Sequence, residues 1–316
     1  MHGRPPASTR GKGQTRNQSG GPPPPGSRRQ SPASLRIALP GRPTEFPRGR
    51  RTGSGEPFHS AFAGNPLGMS RIIEQGDIFF FYRPRLGADT VDELTDIQRF
   101  FFILRPDGSS RFRRIIVGRE RLPDPAAHER TWAFVADITE QPEELHKELE
   151  STSYETRTRG IRVQPAARPA GEGRYAIADH GGHTHLAYVL ELPSKPGPAQ
   201  EAFRIRPEAS YVVAVRNPRD EGPPGAGLRP AQRAQYPPEL QERFGGRRFA
   251  PLDDPRFLDY EGAELVLIGA AEDVEAELGI KLDAERAAVE NADLFRQLRL
   301  KPGELPTEPL ENGRLV

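Results

Sequence analysis

From Met69 onward the chain reads as short apolar runs separated by turn-forming residues. Four runs, Asp77–Arg83, Arg99–Leu104, Phe112–Val117 and Thr131–Ala136, are succeeded by four more: Arg174–Asp179, Thr184–Leu192, Ser210–Val215 and Glu264–Ile268. Their length and their aromatic and β-branched content predict strands. Ile78, Phe79, Phe80, Phe81 and Tyr82 are apolar at both parities, which fits a strand covered on both faces. Helical spacing follows each set. Pro142 suits an opening turn, with Leu145 and Leu149 four apart and Glu143 four before Lys147. After the second set, Val274 and Leu278 share a face and Gly279 ends it. A short helix is expected over 238–244, and a longer one over 284–298 with Asp283 as its N-cap.

The order is four strands then a helix, twice. This predicts a β-rich α+β fold made of two similar ββββα halves, 69–150 and 173–300. The second half also carries the C-terminal helix. A polar linker, 151–172, joins the halves, and 301–316 reads as a loosely attached tail. Gly76-Asp77-Ile78 aligns with Gly173-Arg174-Tyr175, Ile115–Val117 with Val212–Val215, and Trp132–Ile138 with Glu264–Ile268. The alignment suggests an internal duplication. The stretch 217–238, rich in Gly and Pro, reads as a long insertion that is either inert or a lid.

Composition separates the head from this body. Residues 1–68 hold 11 Arg and Lys against two acids, with 12 Pro and 12 Gly, and show no sustained period. Such a segment buries too little apolar surface to offset the entropy of ordering, so disorder is expected. The remainder carries 34 basic and 42 acidic residues, so a net charge of only +1 hides an opposition between head and body. Forty Arg against five Lys suggests a GC-rich bacterial gene. A start at Met69 and a genuine basic tail both fit this pattern. With no cysteine, disulfide frameworks, thiolate zinc sites and cysteine nucleophiles are excluded. The absence of a secretory h-region and of any long apolar run points to a cytoplasmic protein with no membrane partner.

The one constellation with metal-ligand character is His180-Gly181-Gly182-His183-Thr184-His185. On a strand, His183 and His185 share the face opposite Leu186, Tyr188 and Leu190, and His180 lies across a Gly-Gly turn. Imidazoles so placed suit a divalent transition metal. The pair followed by Glu191 resembles the first metal motif of cupins, and that resemblance implies metal roles for His183, His185 and Glu191. The motif's glycine position is Ile177, and no histidine follows His185 to supply a second motif. Glu191 would also lie about 20 Å along a straight strand from His185.

Arg111-Phe112-Arg113-Arg114 is a basic strand start, and Arg130–Val135 partly resembles the RNA-recognition-motif strand signature. The acidic body and the strand order disfavour nucleic acid as a partner. Phosphate-loop and nucleophile-elbow motifs are absent. Two functions are therefore expected. The first is a non-catalytic binding or interaction module for a protein or small-molecule ligand, with no cofactor. The alternative is a metal-dependent enzyme built on the His-x-His strand.

Overall fold

The computed structural model describes residues 70–88, 90–156, 160–221, 227–284, 292–301 and 303–316. The head and the middle of the 217–238 insertion, 222–226, lie outside these residues. So does 285–291, the first part of the expected 284–298 helix.

All eight expected strands form, most of them longer than the apolar runs that signal them. They are β1 (Arg71–Pro84), β2 (Ile97–Pro106), β3 (Phe112–Val117) and β4 (Arg130–Thr139), followed later by β7 (Arg168–His180), β8 (His183–Leu192), β9 (Glu208–Arg216) and β11 (Glu264–Ala271). Each pairs antiparallel with two neighbours. β1 to β4 form one meander; β7, β8, β9 and β11 form another. The first strands of the two sets pair with each other (Phe79 opposite Glu172), as do the last (Val266 opposite Trp132). The result is a closed eight-stranded antiparallel barrel. A three-residue strand, β10 (Phe249–Pro251), pairs with Ala214–Arg216 of β9, past the end of its pairing with β8.

The barrel interior is packed with side chains. Phe80, Tyr82, Phe100, Phe102, Tyr175 and Tyr188 are all buried in one core. At the end where β1 finishes and β2 begins, helix α2 (Pro198–Phe203) drives Phe203 between Tyr82 and Phe100, with ring centres at 4.8 and 5.0 Å. At the opposite end, the insertion between β9 and β11 brings in helix α3 (Pro238–Glu242), Tyr236, Phe244 and Phe257. Their rings meet at 5.1 to 5.9 Å. Burying each such aromatic stabilises the fold by roughly 1.5–3 kcal/mol.

The double-sided apolar pattern of β1 and β2 has its explanation in an outer layer. Helix α1 (Pro142–Leu149) opens on Pro142 and buries Leu145 and Leu149, as its spacing predicts. Helix α5 (Asp293–Gln297) buries Leu294 and Phe295. It is pinned over β1 and β7 by two contacts. Gln297 donates to Asp77 at 2.6 Å, and the Glu172 carboxylate accepts from the backbone N–H groups of Asp293 and Leu294 at 3.1 and 2.9 Å. Glu143 pairs with Arg299 of this segment, not with Lys147 as the helical spacing suggested.

Two segments differ from expectation. The linker 151–172 carries a hairpin, β5 (Thr152–Thr156) with β6 (Gly160–Gln164), and then the start of β7. Its apolar residues escape the usual signal because they face water, with Ile161 76% exposed. The tail 301–316 is docked. Leu305 and Leu310 are buried, helix α6 (Glu308–Asn312) lies against β7, and Val316 bonds the Tyr82 hydroxyl through both its N–H and its carbonyl. Gly313, at φ +70°, lets the backbone press on Gly197; a Cβ there would sit 2.6 Å from the Gly197 Cα. The attachment rests on isolated leucines and a glycine contact, which leave no periodic trace. No helix among the described residues is long and apolar enough to cross a membrane.

Candidate functional site

The histidines lie where strand parity places them. Gly181 and Gly182 both take positive φ, +59° and +84°, giving the two-residue hairpin loop that a Gly-Gly pair favours. His180 therefore stands directly opposite His183, and His185 opposite Ala178. Leu186 and Tyr188 point into the core, and the three histidines share the outer face. Helix α4 (Val274–Leu278) covers that face by packing Val274 and Leu278 on Ala178 and Ala187. Asp273 caps its start by accepting from the Ala276 N–H at 2.8 Å, and Gly279 closes it in the left-handed region.

This packing delivers a carboxylate that no local spacing announces. Glu277 Oε1 lies 3.9 Å from Nδ1 of His185, and its other oxygen accepts the Ser210 hydroxyl. His185 is only 4% exposed, and its Nδ1 has no hydrogen-bond partner. Burial, helped by the neighbouring His180 and His183, pulls its pKa down to about 4, so the ring is neutral at physiological pH. Burial also pushes Glu277 up, against the Ser210 hydrogen bond and the nearby His180 and His128. The rings of His180 and His185 are perpendicular, with centres 6.0 Å apart.

Hydrogen bonding fixes the tautomer of His180. The Ser70 hydroxyl donates its one proton to the Leu278 carbonyl at 2.5 Å, so it must accept from Nδ1–H of His180 at 2.8 Å. The lone pair of His180 is then on Nε2. Glu191 stays on the far part of β8: the register is regular from His183 to Leu190 and the bulge falls at Glu191 itself, so the strand does not fold it back toward His185. Among the described residues, no three of His, Cys, Asp and Glu already surround a point that could hold an ion.

A second polar cluster lies at the barrel mouth closed by the β9–β11 insertion. Glu74 and Arg113 occupy inward positions of β1 and β3. Arg113 Nη1 donates to Glu74 at 2.6 Å and Nε donates to Asp259 at 2.8 Å. The Tyr175 hydroxyl donates to the same Glu74 oxygen at 2.8 Å, and Arg111 reaches the other oxygen of Asp259 at 2.5 Å. Burial opposes the charge on Arg113, but Glu74 and Asp259 outweigh it and hold its pKa above the ordinary value. Burial and then the Glu74 charge push Tyr175 well up. Above the cluster opens a cavity of about 490 Å³, also lined by Ile72, Asp107 and Arg256.

The expected basic strand is thus divided between two faces. Arg111 and Arg113 serve the mouth. Arg114 lies outside over the Phe101 ring at 5.3 Å, paired with Asp137 and Glu148. The described ends of the 217–238 insertion are stapled. Arg233 donates to the carbonyls of Leu228, Pro218 and Asp220, and buried Arg216 pairs with Glu264.

Glu277, Ser210, Glu74, Tyr175 and Asp259 were not visible as site residues in the sequence. One signal was available: Glu74 and Arg113 share the inward parity of Ile78 and Ile115, and a charge at such a position requires a partner. Comparisons with protein-family models, with curated proteins and with solved structures find no match to this chain.

Proposed function

We propose that this chain is a non-catalytic binding module whose barrel is a rigid scaffold and whose ligand, a small polar molecule, docks at the mouth over Glu74, Arg111, Arg113 and Asp259. One observation carries the reading. The barrel interior is filled by side chains, whereas the mouth opens into a cavity floored by charged groups already held in place by one another. Preordered polar groups at a concave surface lower the cost of fixing a ligand.

A ligand-observed NMR screen of small polar fragments against the full chain, repeated on Arg111→Ala, tests this. Fragments lost with Arg111 support it. A hit list that is empty, or unchanged by the substitution, refutes it.

We further infer that the two four-stranded sets descend from one duplicated unit. Three features support this: equal strand order in each set, pairing of first strand with first and last with last, and a helix after each fourth strand. Superposing β1–β4–α1 on β7–β9–β11–α4 tests it. Failure of the four strands to overlay in register would remove the inference.

A further inference from the structure

We propose that His180, His185 and Glu277 form a site for one divalent transition-metal ion on the outer face of the barrel, separate from the mouth and independent of the ligand assigned to it. The first support is convergence. Five of the seven histidines lie among the described residues, and three of these five, His180, His183 and His185, gather here. His180 stands opposite His183, the His180 and His185 rings are 6.0 Å apart, and Glu277 Oε1 comes to 3.9 Å from His185 Nδ1. The histidines come from one hairpin but Glu277 comes from a helix far along the chain, so sequence proximity explains only part of the gathering.

The second support is an unpartnered nitrogen. Nδ1 of His185 is buried, makes no hydrogen bond and lies nearest to a carboxylate that does not bond it. Leaving a buried polar atom unpaired is unfavourable, and an ion at that nitrogen would give it a partner.

The third support is the hydrogen bond behind His180. A ligating imidazole commonly donates its other N–H to a fixed acceptor. Ser70 holds Nδ1–H of His180 in that way, which leaves Nε2 as the donor atom for a metal.

The spacings fit an ion. With metal–nitrogen distances of about 2.0–2.1 Å, two ligating rings stand roughly 5–6 Å apart at their centres; here the separation is 6.0 Å. Ligand atoms around a tetrahedral ion are roughly 3.3–3.5 Å apart; Glu277 Oε1 and His185 Nδ1 are 3.9 Å apart. The site closes when Glu277, a quarter exposed and therefore able to turn, leaves the Ser210 hydroxyl for the ion. Ser210 keeps the Ala271 N–H as a partner. Two imidazoles and one carboxylate suit zinc, cobalt or nickel, with water completing the shell.

The test uses the full chain without affinity histidines, stripped by a chelator. Titration calorimetry with Zn²⁺ and visible absorption with Co²⁺ read the site. One ion per chain at micromolar affinity or tighter is expected, with the intense visible bands of tetrahedral Co²⁺. His180→Ala abolishes binding, and Glu277→Gln weakens it about tenfold or more. Ser70→Ala, which leaves every ligand in place, weakens it by about tenfold. His146→Ala, on helix α1, leaves it unchanged. His185→Ala opens a buried space and is avoided in favour of these variants. Their thermal midpoints in chelator should match the parent, which shows that they fold. No bound ion overturns the proposal, and so does binding that His180→Ala and Glu277→Gln leave intact.

Discussion

Glu172→Gln removes a charge at a carboxylate only 1% exposed while keeping its shape. The ordinary glutamate value is 4.5, and Glu172 is pushed up to about 7. Burial is the main cause. The N–H groups of Leu294 and Asp293 pull the other way, and the charges of Asp293 and Glu191 add to the rise. A group whose folded pKa exceeds its unfolded one takes up a proton on folding in the window between them. The stability it contributes is therefore fully present below about pH 4.5 and is lost as pH rises through 7. At 1.36 kcal/mol per unit, that loss amounts to about 3 kcal/mol. Glutamine has no such titration. The substituted chain should match the parent within about 1 kcal/mol at pH 5 and exceed it by roughly 2–3 kcal/mol at pH 8. Urea unfolding followed by fluorescence of Trp132, the single tryptophan, measures both. Amide exchange at Asp293 and Leu294 should slow in step at pH 8. A gap that does not change with pH, or that grows toward acid, would refute the reasoning.

Other substitutions probe the rest of the architecture. Arg113→Met leaves Glu74 and Asp259 without the guanidinium between them and should cost about 3–5 kcal/mol in urea unfolding; a cost under about 1 kcal/mol would mean the mouth does not depend on it. Phe203→Ala empties the plug between Tyr82 and Phe100 and should also cost about 3–5 kcal/mol. Leu310→Ala should cost about 2–5 kcal/mol, and an unchanged midpoint would contradict the docking of the tail on β7.

Much of the barrel is legible in the chain because each strand advertises itself locally. Parity alone predicts the face of His183 and His185, and the Gly-Gly pair predicts the turn that sets His180 beside them. What escapes is whatever tertiary packing supplies. Phe203 reads as a lone aromatic in a short run of mixed polarity until Tyr82 and Phe100 are seen to receive it. Glu277 sits on a five-residue helix whose only local message is Val274, Leu278 and Gly279. Asp259 reaches Arg113 across 146 positions, a relation with no spacing to detect. The hairpin in 151–172 and the tail are missed for the opposite reason, since one is too exposed and the other too sparsely anchored to set up a period.

Closure of the barrel bears on how the chain is made. When β4 has emerged from the ribosome, β1 and β4 each present a full row of unpaired backbone groups, and their partners β7 and β11 are not yet synthesised. At about 5–20 residues per second, the last partner arrives roughly 7–26 s later. The outer face of β1 at Asp77 is without its cover for longer still, because α5, whose Gln297 bonds Asp77, is added afterwards. Open, aromatic strand edges are templates for association between chains. The nascent first half is thus the stage at which this protein is most in need of a holding chaperone or of slow, dilute synthesis.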